Sequence, residues 1–303
     1  MNQLIETFTN NLLPIALIST AGFLVGKFLS VDPRPLGRVV FYILSPTLVF
    51  NLLVKSQLSF ERIALTMGFA ASVMLSVAGL AYLIGRLLRL ERTTLTAVVL
   101  TSLLTNSGNY GLPLVSFAFG EQALAYASIY FITSAIILNS VGVFIASLGR
   151  LSPKDALLGM FKVPAIYAIL AAILVIHNGW KLPLPLDRTV SLAANGAVPA
   201  MLVLLGLELK RVQWSKDIRA ISISTAMRLV ISPLVGLGLS AVFGLKGAER
   251  QAGITQAGMP TAVMCTILAT EYNVQPALVT AIVFTGTLLS PLTITPLLVY
   301  LGS

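Results

Sequence analysis

Residues 105–113 read Thr105-Asn106-Ser107-Gly108-Asn109-Tyr110-Gly111-Leu112-Pro113, and they lie inside a hydrophobic span. Two amides, two glycines and a proline are foreign to the centre of an ordinary membrane helix. Pro113 has no N–H, and its ring clashes with the carbonyl four residues back, that of Asn109. Gly108 and Gly111 add backbone freedom. The stretch predicts a helix that stops and restarts. A second break is predicted at Gln256-Ala257-Gly258-Met259-Pro260, inside another apolar span. Irregular backbone at membrane depth persists only where protein buries it or where it lines a cavity. Two interrupted spans at corresponding places in the halves of a chain point to the binding site of a secondary transporter.

Working outward, the 303 residues are 56% hydrophobic and only 10% charged. A soluble domain carries about 25% charged residues, so the fold class is all-α and polytopic, with the lipid bilayer as solvent. Net charge is +9, but the basic residues sit in short clusters between apolar runs. That distribution reads as topology signals and lipid headgroup contacts, not nucleic-acid binding. Cys265 is the only cysteine and His177 the only histidine. No internal disulfide can form, and neither a His/Cys metal site nor a cofactor is expected. The N-terminal apolar run lacks a basic leader region and is long enough to span, so it reads as a retained first helix.

Ten spans are predicted, at 10–29, 35–54, 62–86, 92–118, 121–148, 155–177, 187–209, 217–243, 249–271 and 275–301. Pro33, Pro35, Pro153, Pro183 and Pro185 punctuate the turns. Alternate loops hold thirteen Lys and Arg on one side, including Lys27, Arg34, Arg38, Arg150, Lys154 and Arg211, against six on the other. The richer side should be cytoplasmic. With ten spans, both termini then face the non-cytoplasmic side of a cell (inner) membrane. The halves 1–150 and 151–303 look alike. Pro46 pairs with Pro199, Gly111-Leu112-Pro113 with Gly258-Met259-Pro260, and Gln122 with Gln275. Five spans per half is odd, so the second copy enters the membrane inverted.

The motif Asn106-Ser107-Gly108-Asn109-Tyr110-Gly111-Leu112-Pro113 resembles the fourth-helix motif of bacterial auxin efflux carrier family proteins. Met259-Pro260 through Glu271-Tyr272-Asn273-Val274 resembles the ninth-helix region of plant auxin (PIN) carriers, and Ser290-Pro291 is also typical. The family's fold is similar to that of bile acid sodium symporters: two inverted five-helix repeats with crossed, broken helices 4 and 9. The resemblance implies a scaffold of spans 1, 2, 6 and 7 and a mobile domain of spans 3–5 and 8–10. It also implies elevator-like motion, a carboxylate-bearing substrate and a homodimer through the scaffold spans. Only the short stretch 149–155 stands where plant members carry a long central loop.

The candidate substrate-binding residues follow from the two breaks. Asn109 and Gln256 each sit four residues before a proline, so each has a freed carbonyl and an amide that both donates and accepts. Half-helices beginning near Pro113 and Pro260 would start near the midplane, each bearing about half a positive charge. Asn106, Ser107 and Thr261 could add hydrogen bonds to a carboxylate, and Gly108, Gly111, Gly258 and Met259 complete the two motifs. Arg228, in span 8 with no acidic neighbour in sequence, is either an anion attractor or a partner for backbone carbonyls. Asn139 in span 5 is a further candidate, alternatively packing glue. Thr261 alternatively caps locally.

The acidic residues, Glu208, Glu249 and Glu271 among them, fall at span ends or in loops, so no carboxylate is expected at the membrane centre for an ion relay. No catalytic residue is expected either, because a Ser107–His177 hydrolase would need a histidine that lies at a span end. The leading expectation is export of a small organic anion. A sodium-coupled importer and a channel are the alternatives.

Overall fold

The computed structural model describes residues 2–147, 158, 160–210 and 215–302. Arg150, Lys154, Arg211, Pro153, the 149–155 loop and the boundary between the two halves lie outside the described residues. The described chain is helical, and its one β feature is an isolated bridge. The elements are α1 (Asn2–Leu29), α2 (Pro33–Ser56), α3 (Phe60–Leu87), α4 (Arg92–Leu103), α5 (Ser107–Ala146), α6 (Pro164–His177), α7 (Leu184–Leu209), α8 (Ile218–Val242), α9 (Gly247–Ala257), α10 (Met264–Glu271) and α11 (Pro276–Leu301). Among the described residues seven helices are long and apolar enough to cross a membrane: α1, α2, α3, α5, α7, α8 and α11. The protein is therefore a multi-pass α-helical membrane protein. At Gly120, α5 turns sharply (φ +73°, ψ −167°), a conformation that glycine adopts without strain.

Polar side chains mark where helices begin. Asp32 accepts from Arg34 N at 3.1 Å, Ser59 from Arg62 N at 3.4 Å and Asp217 from Ala220 N at 3.0 Å. Each occupies one of the donors that a helix start leaves unpaired.

Prolines inside the spans follow a pattern. Widened π turns cover Phe8–Leu12, Val40–Leu44, Ser107–Gly111 and Met227–Ile231. Each ends two residues before a proline: Pro14, Pro46, Pro113 and Pro233. The wider turn shifts the carbonyl that the ring would strike, so the helix continues through the proline. Pro199, Pro291 and Pro296 sit within helices that lack such a turn.

This relocates the breaks. The sequence placed the helix restarts near Pro113 and Pro260. In the structure α5 restarts at Ser107, six positions earlier, because the π turn absorbs Pro113. The second break runs from Gly258 to Val263, and α10 begins at Met264.

Small residues let helices approach closely, as membrane packing favours. A Cβ on Gly206 of α7 would strike the Ser19 carbonyl of α1, and one on Gly22 would strike the Val203 carbonyl. Glu249, buried in the first turn of α9, pairs with Arg62 at 3.2 Å. It also accepts from Thr66 Oγ1 at 2.9 Å, which ties α9 to α3. The apolar cluster around Leu12, Tyr110, Leu114, Leu202, Met259 and Ile294 packs α1, α7 and α11 against the region where the two breaks meet.

Candidate functional site

The two breaks cross. Thr105 and Thr261 form an antiparallel bridge, in which Asn106 N donates to Pro260 O at 2.8 Å and Ala262 N donates to Leu104 O at 3.0 Å. The bridge supplies partners for backbone that neither helix can satisfy. The threonine hydroxyls extend the exchange. Thr105 Oγ1 donates to Gln256 O near the end of α9 at 3.0 Å, and Thr261 Oγ1 donates to Thr101 O near the end of α4 at 2.9 Å. Each break thus caps a terminal carbonyl of the other's preceding helix, satisfying groups that a helix C-terminus leaves open.

Arg228 completes that cap. It is fully buried, in the π turn of α8. Its guanidinium donates to Met259 O at 2.8 and 3.3 Å, to Ala257 O at 3.0 Å and to Ser102 O at 3.2 Å. A fourth partner is Ser232 Oγ, at 3.1 Å. A cation therefore stands where the negative ends of α4 and α9 converge.

The positive ends face elsewhere. A cavity of about 520 Å³ is lined by Thr105, Asn106, Ser107, Gly108 and Asn109 from the first crossing strand and the start of α5. Ala262, Val263 and Met264, at the start of α10, line it too. Two helix N-termini thus open on one space, each with N–H groups that have no intrahelical partner. Asn106 Nδ2 is buried and has no hydrogen-bond partner. Asn109, half-buried in the π turn, donates through Nδ2 to Glu208 Oε2 of α7 at 3.4 Å. The remaining lining includes Phe131, Ser134 and Asn139 of α5, Glu208 of α7 and the exposed Arg34 and Arg38 of α2.

Of the residues singled out from sequence, the structure brings Asn106, Ser107, Gly108, Asn109 and Asn139 to this cavity. Asn139, in a further π turn of α5 at Leu138–Gly142, donates through Nδ2 to Ala135 O at 2.8 Å. The others stand behind it. Gln256 is fully buried, and its Nε2 donates to Ser107 O at 3.1 Å and Ala127 O at 3.3 Å. It packs on Gly111, where any Cβ would overlap the amide. Pro113 lies buried in α5. Gly258 N closes α9 on Ile254 O and Thr255 O, both at 3.0 Å. Met259 and Pro260 present their carbonyls to Arg228 and Asn106, and Thr261 is the hydroxyl cap already described.

Sequence reasoning passed over four residues. Thr105 opened the decisive stretch but was not singled out, although Thr261, its bridge partner, was. Arg34 and Arg38 were read only as topology signals. Glu208 was read as a span-end acid, and nothing in sequence places it beside Asn109, 99 positions away. Among the described residues no cluster of three His, Cys, Asp or Glu could hold a metal ion.

Comparison with known proteins places the chain in a family. The sequence model of the family described as "Membrane transport protein" matches residues 7–150 and 150–299. The chain is similar to an uncharacterised transporter of Methanothermobacter thermautotrophicus, 26% identical over 93% of this chain and 94% of the relative. A Rhizobium meliloti protein, provisionally named a malonate transporter, is 25% identical over 97% of this chain and 96% of its own. Auxin efflux carrier component 6 of Arabidopsis thaliana is 28% identical over 38% of this chain and 21% of its own length. The chain belongs to the membrane transport protein family and is a transporter of the auxin efflux carrier, PIN-like type.

Proposed function

We propose that this transporter exports a small organic anion, a mono- or dicarboxylate, by elevator-like alternating access. One observation carries the reading: the two helix starts at Ser107 and Met264 and the amides of Asn106 and Asn109 all border one cavity. Partial positive charge from both helices, with side-chain donors beside it, suits a carboxylate. The names of two relatives, one for malonate and one for auxin, both denote carboxylates and support the same class.

In this reading α4 with the start of α5 forms one interrupted span, and α9 with α10 forms another. Ten spans result, as two inverted repeats with both termini outside the cytoplasm of a cell membrane. The Thr105–Thr261 bridge supports the repeat, since the two breaks, one from each half, meet across it. The scaffold is α1, α2, α6 and α7, and the remaining helices move. The cavity reaches Arg34 and Arg38, on the side with the richer Lys and Arg count, so it represents the cytoplasm-facing state.

The test is a thermal-shift screen of purified protein against mono- and dicarboxylates. A true ligand at 100 times its dissociation constant stabilises by about 2.7 kcal/mol. Stabilisation by carboxylates and not by the matching amides is expected. Equal response to both, or to neither, would reject the carboxylate reading.

A further inference from the structure

We propose that Glu208 is an internal stand-in for the substrate's carboxylate, a positioning residue that holds the empty carrier and is displaced on loading. The proposal rests on the organic-anion reading above. Glu208 lines the same cavity as Asn106, Ser107 and Asn109, and it is half-buried there. Its Oε2 accepts from Asn109 Nδ2, in the first turn of α5. A carboxylate is thus already seated on the donor that an incoming carboxylate would use.

The contact is built to be lost. At 3.4 Å it lies beyond the usual 2.7–3.2 Å range of an N–H···O bond. A ligand carboxylate at about 2.8 Å would make the same kind of bond to this amide at a more favourable length. The buried Nδ2 of Asn106, unpartnered in this state, could serve the same ligand. Two carboxylates cannot share the space without mutual repulsion, so binding and the Asn109–Glu208 contact exclude each other.

The two residues belong to different proposed bodies. Asn109 belongs to the moving domain and Glu208, on α7, to the scaffold. Loading would therefore free the moving domain at the moment the site fills. An unloaded domain stays held facing the cytoplasm, which limits idle cycling. Glu208 also filters ligands, since a neutral molecule lacks the charge needed to displace it.

The test is Glu208→Gln, which keeps an acceptor for Asn109 but removes the charge. Isothermal titration with malonate and with propionate gives affinity. A half-buried like charge at about 5 Å acts between the water and protein-surface limits of Coulomb's law, so binding about tenfold tighter than wild type is expected. A residue with a merely structural role would not tighten binding when altered. Glu208→Ala should act in the same direction and serves if the glutamine variant folds poorly. Ligand-free spin-label distances between Lys27→Cys and Arg89→Cys supply a readout independent of any ligand. Both positions are exposed, whereas Cys265 is buried. Glu208→Gln should broaden that distance distribution. Wild type and variant binding carboxylate equally, or the variant binding more weakly, overturns the proposal and leaves the carboxylate reading intact. If neither protein binds any carboxylate, that reading falls. The distances then decide: a broadened distribution supports the hold by Glu208, and an unchanged one rejects it.

Discussion

Replacing Arg228 with Gln should damage the fold before it damages transport. The guanidinium serves Met259 O, Ala257 O and Ser102 O as well as Ser232 Oγ. Ala257 O keeps a second donor, Ser232 Oγ, at 2.7 Å. Ser102 O and Met259 O have no other side-chain donor described here, and a glutamine amide cannot reach all of these sites. Leaving a buried carbonyl unpaired costs about 1–3 kcal/mol, so the two together cost about 2–6 kcal/mol. Total stabilities run near 5–15 kcal/mol, and the loss corresponds to a melting temperature lower by about 4–12 °C. Arg228→Lys restores the charge but not the fork of donors, so it should fall between. The assay is thermal unfolding of detergent-purified protein without ligand. An Arg228→Gln protein that unfolds at the wild-type temperature yet no longer binds carboxylate would refute the reasoning, because the cation would then be a ligand contact.

Asn109→Ala removes a half-buried amide on the cavity wall whose one described side-chain contact is long. Carboxylate affinity should fall about tenfold to a hundredfold, the worth of one hydrogen bond to a charged ligand, with the unfolding temperature unchanged in the ligand-free protein. Thr105→Val and Thr261→Val each remove one reciprocal cap, at about 1 kcal/mol. Because the two caps share one crossing, the double variant should deviate from additivity in a double-mutant cycle by at least about 0.5 kcal/mol. Cys265 is fully buried, with its thiol 3.8 Å from Leu100 O of α4. Small thiol reagents should leave it unmodified in the native protein, with or without ligand, and react only on unfolding.

The residues of the crossing were legible because they break rules of membrane helices. Amides, glycines and proline in 105–113 and 256–260 have no place in an uninterrupted span, and the structure interrupts the chain within or beside both. The exact point of interruption was not legible. A proline forbids only one hydrogen bond and one carbonyl position, and a π turn evades both, so Pro113 lies inside a helix. Arg228 could be placed at membrane depth from sequence, but not assigned between ligand and backbone. That choice depends on α4 and α9 ending beside α8, which is tertiary information. The same holds for Glu208, whose meaning comes from α7 lying against the start of α5. Arg34 and Arg38 carry two signals at once, since a loop charge that sets topology also lines the cavity. Local chemistry marked the crossing, and long-range packing decided which side chains face its cavity.

Export of an organic anion, for which we propose the membrane potential as the driving force, is tested most directly by flux from proteoliposomes loaded with labelled malonate under a potassium-diffusion potential. The field supplies about 2.3 kcal/mol per charge per 100 mV, enough for about a fiftyfold gradient of a monovalent anion. The account predicts saturable efflux that rises as the interior is made negative and persists without sodium or a proton gradient. Efflux indifferent to the imposed voltage and abolished by removing sodium would contradict it.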